Sequence, residues 1–325
     1  MDCSTSLLNL LRKNDTFKSV ASDYKNNLSY GYLFLSSDSF LVNNFAEAVA
    51  NMIVCSTKNL CGKCESCLLA LKGTHPDILT YPKGEKFLVS DSDMISSEAL
   101  VKPMISEKKV FILNNFNNAT EQAQNKLLKL IEEPPQNVVF LLTATNESGV
   151  LQTVRSRLSK LYVMPFSEEI VKSYLITIGA NVLLAEEAIE ACNGKLGGCV
   201  KFVQSKQTQN QFMQAKRIVC EMLKSTDILP FSKELSKEKE NYLSKLEFLS
   251  MIFAKMLAYK NNINVKLDEK VKKVSEDFSL TAIIKTLDLI NEAKKQFDSN
   301  VNLSVVSDKL LFGILEVKYK WKWKW

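Results

Sequence analysis

The chain has 325 residues, 46% of them hydrophobic and 24% charged, with a formal net charge of +6 at pH 7. That length allows two or three domains with cores of their own, and the composition is ordinary for a soluble globular protein. No apolar run approaches the ~18–20 residues of a membrane span, the N-terminal stretch is too polar for a signal peptide, and so mild a charge is explained by a solvated surface. A cytoplasmic location is expected, with cysteines kept reduced rather than paired as disulfides.

In chain order, Ser4 to Lys18 reads as a short amphipathic helix, and Tyr30 to Leu35 as a first buried strand. A phosphate-cradling loop would come next. It needs glycines that let backbone N–H groups curl toward the phosphates, a lysine for the outer phosphates, and a Ser or Thr for magnesium. The segment Ser36-Ser37-Asp38-Ser39-Phe40-Leu41-Val42-Asn43 has no glycine and no lysine, and Asp38 would set a negative charge beside the phosphates.

Four of the eight cysteines then fall in the pattern Cys55-x5-Cys61-x2-Cys64-x2-Cys67. Four thiolates can close a tetrahedral Zn²⁺ site with no open position, which makes the site structural rather than catalytic. Gly62 centres the turn that carries three of them, and Cys55 comes from the end of the preceding helix. His75, the only histidine, is an alternative fourth ligand, and free buried cysteines are the reading without metal.

Ile78–Tyr81 and Phe87–Val89 read as short strands beside a helix from Ser92 to Lys102, and Val110–Leu113 as another buried strand. After it a magnesium-dependent ATPase would present acids to hold the metal and polarise water. This chain presents Asn114, Asn115, Phe116, Asn117 and Asn118, and amides neither bind Mg²⁺ tightly nor accept a proton. Thr120 marks a helix start, Leu127, Leu128 and Ile131 give it an apolar face, and Pro134-Pro135 stop it. Val138–Leu142 is the next strand, so strand, helix and strand form a βαβ crossover and predict a mainly parallel sheet. Arg155 and Ser156-Arg157 follow, then strand Leu161–Met164. Ser167-Glu168-Glu169 caps a helix start. Helices are expected near 168–178, 182–192 and 197–206, then as long amphipathic stretches at Gln207–Ser225, Ser232–Lys260, Asp268–Phe297 and Asn302–Lys318. The chain ends with lysine and tryptophan alternating over Lys318–Trp325, a segment that reads either as a stacking and phosphate-gripping tail or as a frayed terminus.

The run AQNKLLKLIEEPP, then VVFLLTATN, then Ser156-Arg157, resembles the core of the bacterial clamp-loader family, AAA+ proteins that place the sliding clamp on primed DNA for the replicative polymerase. The resemblance covers roughly residues 25–205 and is joined by the cysteine cluster and by Gly73-Thr74-His75-Pro76-Asp77. It implies an α/β fold: a P-loop-NTPase-like parallel-sheet domain over 1–166 with a zinc module near 55–77. A small helical lid over 167–206 and an all-α collar over 207–325 would follow.

Matched by position, Val42 stands for the P-loop lysine and Asn43 for the Ser/Thr, while Ser36 and Ser39 mark the degenerate loop. Asn114, Asn115 and Asn117 stand at Walker B, Thr143–Asn146 at sensor 1, and Gly197 where a sensor 2 arginine belongs. Leu158 departs from the family's serine-arginine-cysteine motif. The losses together imply a subunit that neither binds nor hydrolyses ATP, as on the delta prime branch of the family. There Arg157 would be the arginine finger offered in trans to a neighbouring ATPase; an arginine in a local surface salt bridge is the bland alternative. The resemblance further implies structural Zn²⁺ on Cys55, Cys61, Cys64 and Cys67, with gamma/tau ATPases and delta as partners. Sliding clamp and primed DNA would be met through the complex, within a DNA polymerase III holoenzyme. No activity is expected of the isolated chain. Two other readings are an ATP-binding motor subunit, which predicts the missing lysine and acids, and a zinc-containing nucleic-acid-binding protein outside replication, which leaves Glu132-Glu133-Pro134-Pro135 and Ser156-Arg157 unaccounted for.

Overall fold

The computed structural model describes residues 3–26, 29–263, 265, 267–299 and 301–320. The chain divides into two compact units, Met1–Val182 with Lys195–Gly197, and Leu183–Gly194 with Gly198–Trp325.

The first unit opens with α1 (Cys3–Leu11) and α2 (Asp15–Asn26). One helix was expected here. Asn14 divides it: its Oδ1 accepts the Thr16 N–H at 3.0 Å while its Nδ2 donates to the Met164 carbonyl at 2.9 Å, a local side-chain alternative to the helical ladder. Then come β1 (Gly31–Leu35), α3 (Ser39–Val54), α4 (Glu65–Leu71), β2 (Ile78–Tyr81), α5 (Val89–Ala99), β3 (Lys109–Leu113), α6 (Glu121–Glu132), β4 (Val138–Ala144), α7 (Gln152–Arg155), β5 (Ser159–Tyr162) and α8 (Glu168–Thr177). The five strands are parallel, in the order β2-β3-β4-β1-β5. Because β1, β3 and β4 are covered on both faces, every residue of the three is buried, which is why they read as unbroken apolar runs. Phe111 and Phe140 pair across β3 and β4 with ring centroids 5.4 Å apart.

Phe87–Val89 is not a strand. Phe87 is buried against Phe116, ring centroids 5.2 Å apart, while Asp91 accepts the Leu88 N–H at 2.8 Å and opens α5 there. Phe87 fills the core from a loop while Leu88 is exposed, and the Leu88 N–H goes to a helix cap instead of a ladder. Strand β5 lies two residues earlier than expected, paired along β1 from Tyr32↔Ser159 to Leu35↔Tyr162.

The second unit is helical: most of α9 (Val182–Cys192) and α10 (Leu196–Gln204), then α11 (Lys206–Glu221), α12 (Ile228–Ser236), α13 (Lys239–Lys260), α14 (Glu269–Glu276), α15 (Leu280–Asp298) and α16 (Leu303–Lys320). Two of the long amphipathic stretches are each split in two. Ser279 interrupts one by capping α15, its hydroxyl accepting the Ala282 N–H at 3.1 Å. Buried Lys245 donates to the Glu234 carbonyl at 2.9 Å, which satisfies the exposed end of α12 where the other breaks. The tail residues 321–325 lie outside the described residues.

Candidate functional site

At the position of the phosphate loop, the Ser36 N–H donates to Ala144 O at 3.2 Å as the chain leaves β1. The chain then turns into α3 at once, with Ser39 exposed as its first residue. Asp38 is the N-cap: its Oδ1 accepts the Phe40 and Leu41 N–H groups at 3.1 and 3.2 Å, two of the donors a helix start leaves free. Ser36 Oγ accepts the Asp38 N–H at 3.4 Å. Val42, one turn into α3, is fully buried, so the lysine position faces core.

Across from it the amides and a hydroxyl form one neutral chain. The Asn115 N–H donates to Thr143 Oγ1 at 2.8 Å, and the Thr143 hydroxyl donates to Asn43 Oδ1 at 2.6 Å. Three elements are tied this way: the turn after β3, strand β4 and helix α3. Asn115 sits in the left-handed region at φ 49°, a conformation asparagine tolerates better than most residues. Asn117 Oδ1 accepts the Thr145 N–H at 3.0 Å. Gly149 packs so tightly here that a Cβ would lie 2.3 Å from the Asn117 carbonyl oxygen. Asn114 Oδ1 is buried without a partner. The positions that would carry metal and water chemistry therefore hold uncharged groups, of which Asn115, Thr143 and Asn43 are bonded to one another.

Gln124, which sequence reasoning passed over, links this region to Arg157. Only 1% exposed, it donates from Nε2 to the Gly149 and Ala119 carbonyls at 2.8 and 3.1 Å and accepts the Leu151 N–H at 2.9 Å. It pins the start of α6 to the segment that leads into α7. A polar residue buried on an otherwise apolar helix face was the available signal. Beyond α7, the Arg157 guanidinium donates to the Thr153 carbonyl at 2.8 Å and pairs with Glu132 of the Glu-Glu-Pro-Pro segment at 3.2 Å. Its side chain is one-third exposed. Arg155 is engaged differently, meeting Glu147 at 3.1 Å beside Lys160 and Tyr162. Hydrogen bonds from Tyr162 and Lys160 hold the Glu147 carboxyl below its ordinary range. Leu158 is buried against Gly31, where a Cβ would approach its Cδ2 to 2.4 Å. The residue in place of the family's cysteine is thus an apolar anchor at the foot of β1.

The four cysteines of the spacing motif come together, with all four sulfurs within 4.8 Å of one another. Cys61 and Cys67 sulfurs are 3.9 Å apart, and Cys64 and Cys55 sulfurs 4.0 Å. Tetrahedral Zn²⁺ with bonds of about 2.3 Å places its sulfurs about 3.8 Å apart, whereas a disulfide needs about 2.05 Å. The spacing fits a metal and not a disulfide. Backbone N–H groups of Cys61, Cys64 and Cys67 point at the sulfurs of Cys55, Cys61 and Cys64, each at 3.4 Å. Burial raises the Cys55 thiol, but hydrogen bonds from the Cys61 N–H and Thr57 outweigh it and bring the group down to about 5. Cys64 settles at about 7 by the same balance, with Ser56 and the Cys67 N–H as donors. Burial drives Cys67 up. His75 is outside the cluster. It is 5% exposed, its Nδ1 accepts the Asp77 N–H at 3.1 Å, and its Nε2 is buried without a partner. Burial lowers its pKa.

A parallel β2-β3-β4-β1-β5 sheet, a helix-opening turn at the phosphate position and a helical second unit define an AAA+-type α/β protein with a four-cysteine module. The family model described as "DNA polymerase III, delta subunit" matches residues 13–167. The Bacillus subtilis DNA polymerase III subunit delta' is 22% identical over 90% of this chain and 92% of its own length. The Haemophilus influenzae subunit delta' is also 22% identical, over 86% and 88%. The Mycobacterium bovis subunit gamma/tau is 32% identical over 43% of this chain, but that match spans only 25% of the relative's length. The chain is therefore similar to the delta' subunits of DNA polymerase III over most of its length. Among the described residues, no helix is long and apolar enough to cross a membrane.

Proposed function

We propose that this chain is the stator of a bacterial clamp loader, a delta prime subunit that neither binds nor hydrolyses ATP and lends Arg157 to a neighbouring ATPase. The observation that carries the reading is the neutral chain Asn115–Thr143–Asn43 at the metal position, beside a buried valine at the lysine position. A triphosphate with Mg²⁺ needs compensating charge on both sides, and these residues supply none. Arg157 is suited to act in trans: one-third exposed, it gives up only a surface pair with Glu132 and one carbonyl, and exposed pairs are weak. Facing the γ-phosphate of an adjacent subunit, its guanidinium stabilises charge on the transferring phosphoryl group. Partners are the gamma/tau-type ATPases and delta, with the sliding clamp and primed DNA reached through the complex. The lid is assigned to 167–206 and the collar to 207–325, in a cytoplasmic assembly. Cys55, Cys61, Cys64 and Cys67 would hold Zn²⁺, which supplies a structural cross-link and no reaction step.

The test is Arg157→Ala in the reconstituted complex. Turnover at the adjoining ATPase site should fall by about 10³-fold or more, while assembly and ATP binding there are kept. Unchanged turnover in a fully assembled complex would remove Arg157 from this role.

A further inference from the structure

One side chain closes the turn where a P-loop would cradle phosphates. Asp38 is 8% exposed. Besides its two bonds to the Phe40 and Leu41 N–H groups, its second oxygen accepts the Gly197 N–H at 2.9 Å. The three donors thus come from two places: the N-terminus of α3 and the first turn of α10, 159 positions away. Backbone N–H groups at a helix start are the donors such a turn offers to a bound anion, and bonds to a carboxylate are among the stronger ones.

Gly197 is shaped for this contact. A Cβ there would lie 2.3 Å from Phe40 Cβ and 2.8 Å from Asp38 Oδ1, so any side chain forces the two segments apart. Lys195 reinforces the approach, its Nζ lying 3.5 Å from the Ser37 carbonyl. The aspartate that looked hostile to phosphate in the sequence is seated at the phosphate-loop turn, with three backbone N–H groups pointing at its carboxylate.

We propose that Asp38 is a resident anion: its carboxylate stands in for a nucleotide phosphate and clamps residues 195–197 to the start of α3 whatever the nucleotide state of the complex. This deepens the nucleotide-blind reading and rests on it. The clamp makes the position rigid where a nucleotide-dependent subunit would be switchable.

The test uses amide hydrogen exchange on the full-length chain. In Asp38→Ala, exchange at Phe40, Leu41 and Gly197 should speed up by about tenfold or more. Sodium formate, a free carboxylate, should restore protection at all three in the variant and change nothing in the parent chain. If Asp38→Ala does not fold, Asp38→Asn serves. A carboxamide offers one accepting oxygen where the carboxylate offers two, so protection should persist on one side, α3 or Gly197, and be lost on the other. Gly197 exchange within about twofold of the parent in folded Asp38→Ala, or exchange within about twofold at Phe40, Leu41 and Gly197 alike in Asp38→Asn, overturns the clamp, as does a formate effect of equal size in the parent. ATP binding by the parent chain is a separate outcome: it overturns the nucleotide-blind reading by a different readout.

Discussion

Replacing Thr143 by valine tests the neutral network with almost no change of shape. Thr143 is fully buried, and its hydroxyl both accepts from the Asn115 N–H and donates to Asn43 Oδ1. Valine deletes both bonds and leaves a donor and an acceptor without their partner. An orphaned buried polar group costs about 1–3 kcal/mol. Asn43 and Asn115 are only half-buried, so water can partly replace what is lost, and a total of about 2–4 kcal/mol is expected. A unit of this size loses roughly 2–4 °C of Tm per kcal/mol, so the midpoint should fall by about 5–15 °C. Urea unfolding followed by circular dichroism measures the loss, with the m-value unchanged because the surface exposed on unfolding is the same. A drop under about 1 °C would show that these bonds do not hold the site together. A rise in the midpoint of the parent chain on adding MgCl₂ would contradict the argument more deeply, since neutral groups give a divalent cation nothing to bind.

Three further outcomes follow from the same geometry. The purified chain should carry one zinc by metal analysis. Cys64→Ser should lose it and unfold at lower temperature, whereas His75→Asn should keep it, because His75 bonds the Asp77 N–H and stands outside the cluster. Asp77 is wholly buried and accepts from the Met104, Ile105 and Ser106 N–H groups at 2.6, 2.8 and 2.8 Å and from the Ser106 hydroxyl at 2.9 Å. Burial pushes its pKa up, but these bonds outweigh burial and hold it below the ordinary value. Its contribution is then complete above the unfolded value near pH ~4 and is lost as the pH falls from there through the folded one. Asp77→Asn should cost about 2–4 kcal/mol at neutral pH and flatten the acid limb of a stability-against-pH curve; an unchanged limb would refute the assignment.

What could be read from the sequence was local. The apolar runs of β1, β3 and β4, the cap at Thr120 and the stop at Pro134-Pro135 each signal themselves within a few residues, and they fix the parallel sheet. The cysteine spacing showed the candidate metal ligands for the same reason, and the asparagines after β3 showed which chemistry is missing. What failed to show was tertiary. Phe87 has the apolar character of a strand residue, yet its destination is the Phe116 ring. Asn14 breaks a helix through a partner at Met164, 150 positions away. Asp38 was legible as an unfavourable charge but not as a ligand for Gly197, because no local spacing connects the two. Gln124 lay inside the run that carries the family resemblance and was read only as part of a helix, since two of its three partners, Gly149 and Leu151, are 25 and 27 positions away.

The central claim is that this AAA+ subunit is blind to nucleotide, and a fluorescent-ATP titration of the purified chain alone, with Mg²⁺, tests it most directly. The account predicts no saturable binding up to millimolar nucleotide and no hydrolysis. Saturable micromolar binding, with or without turnover, would mean that residues Ser36–Asn43 still cradle phosphates and that the subunit is a switch or a motor.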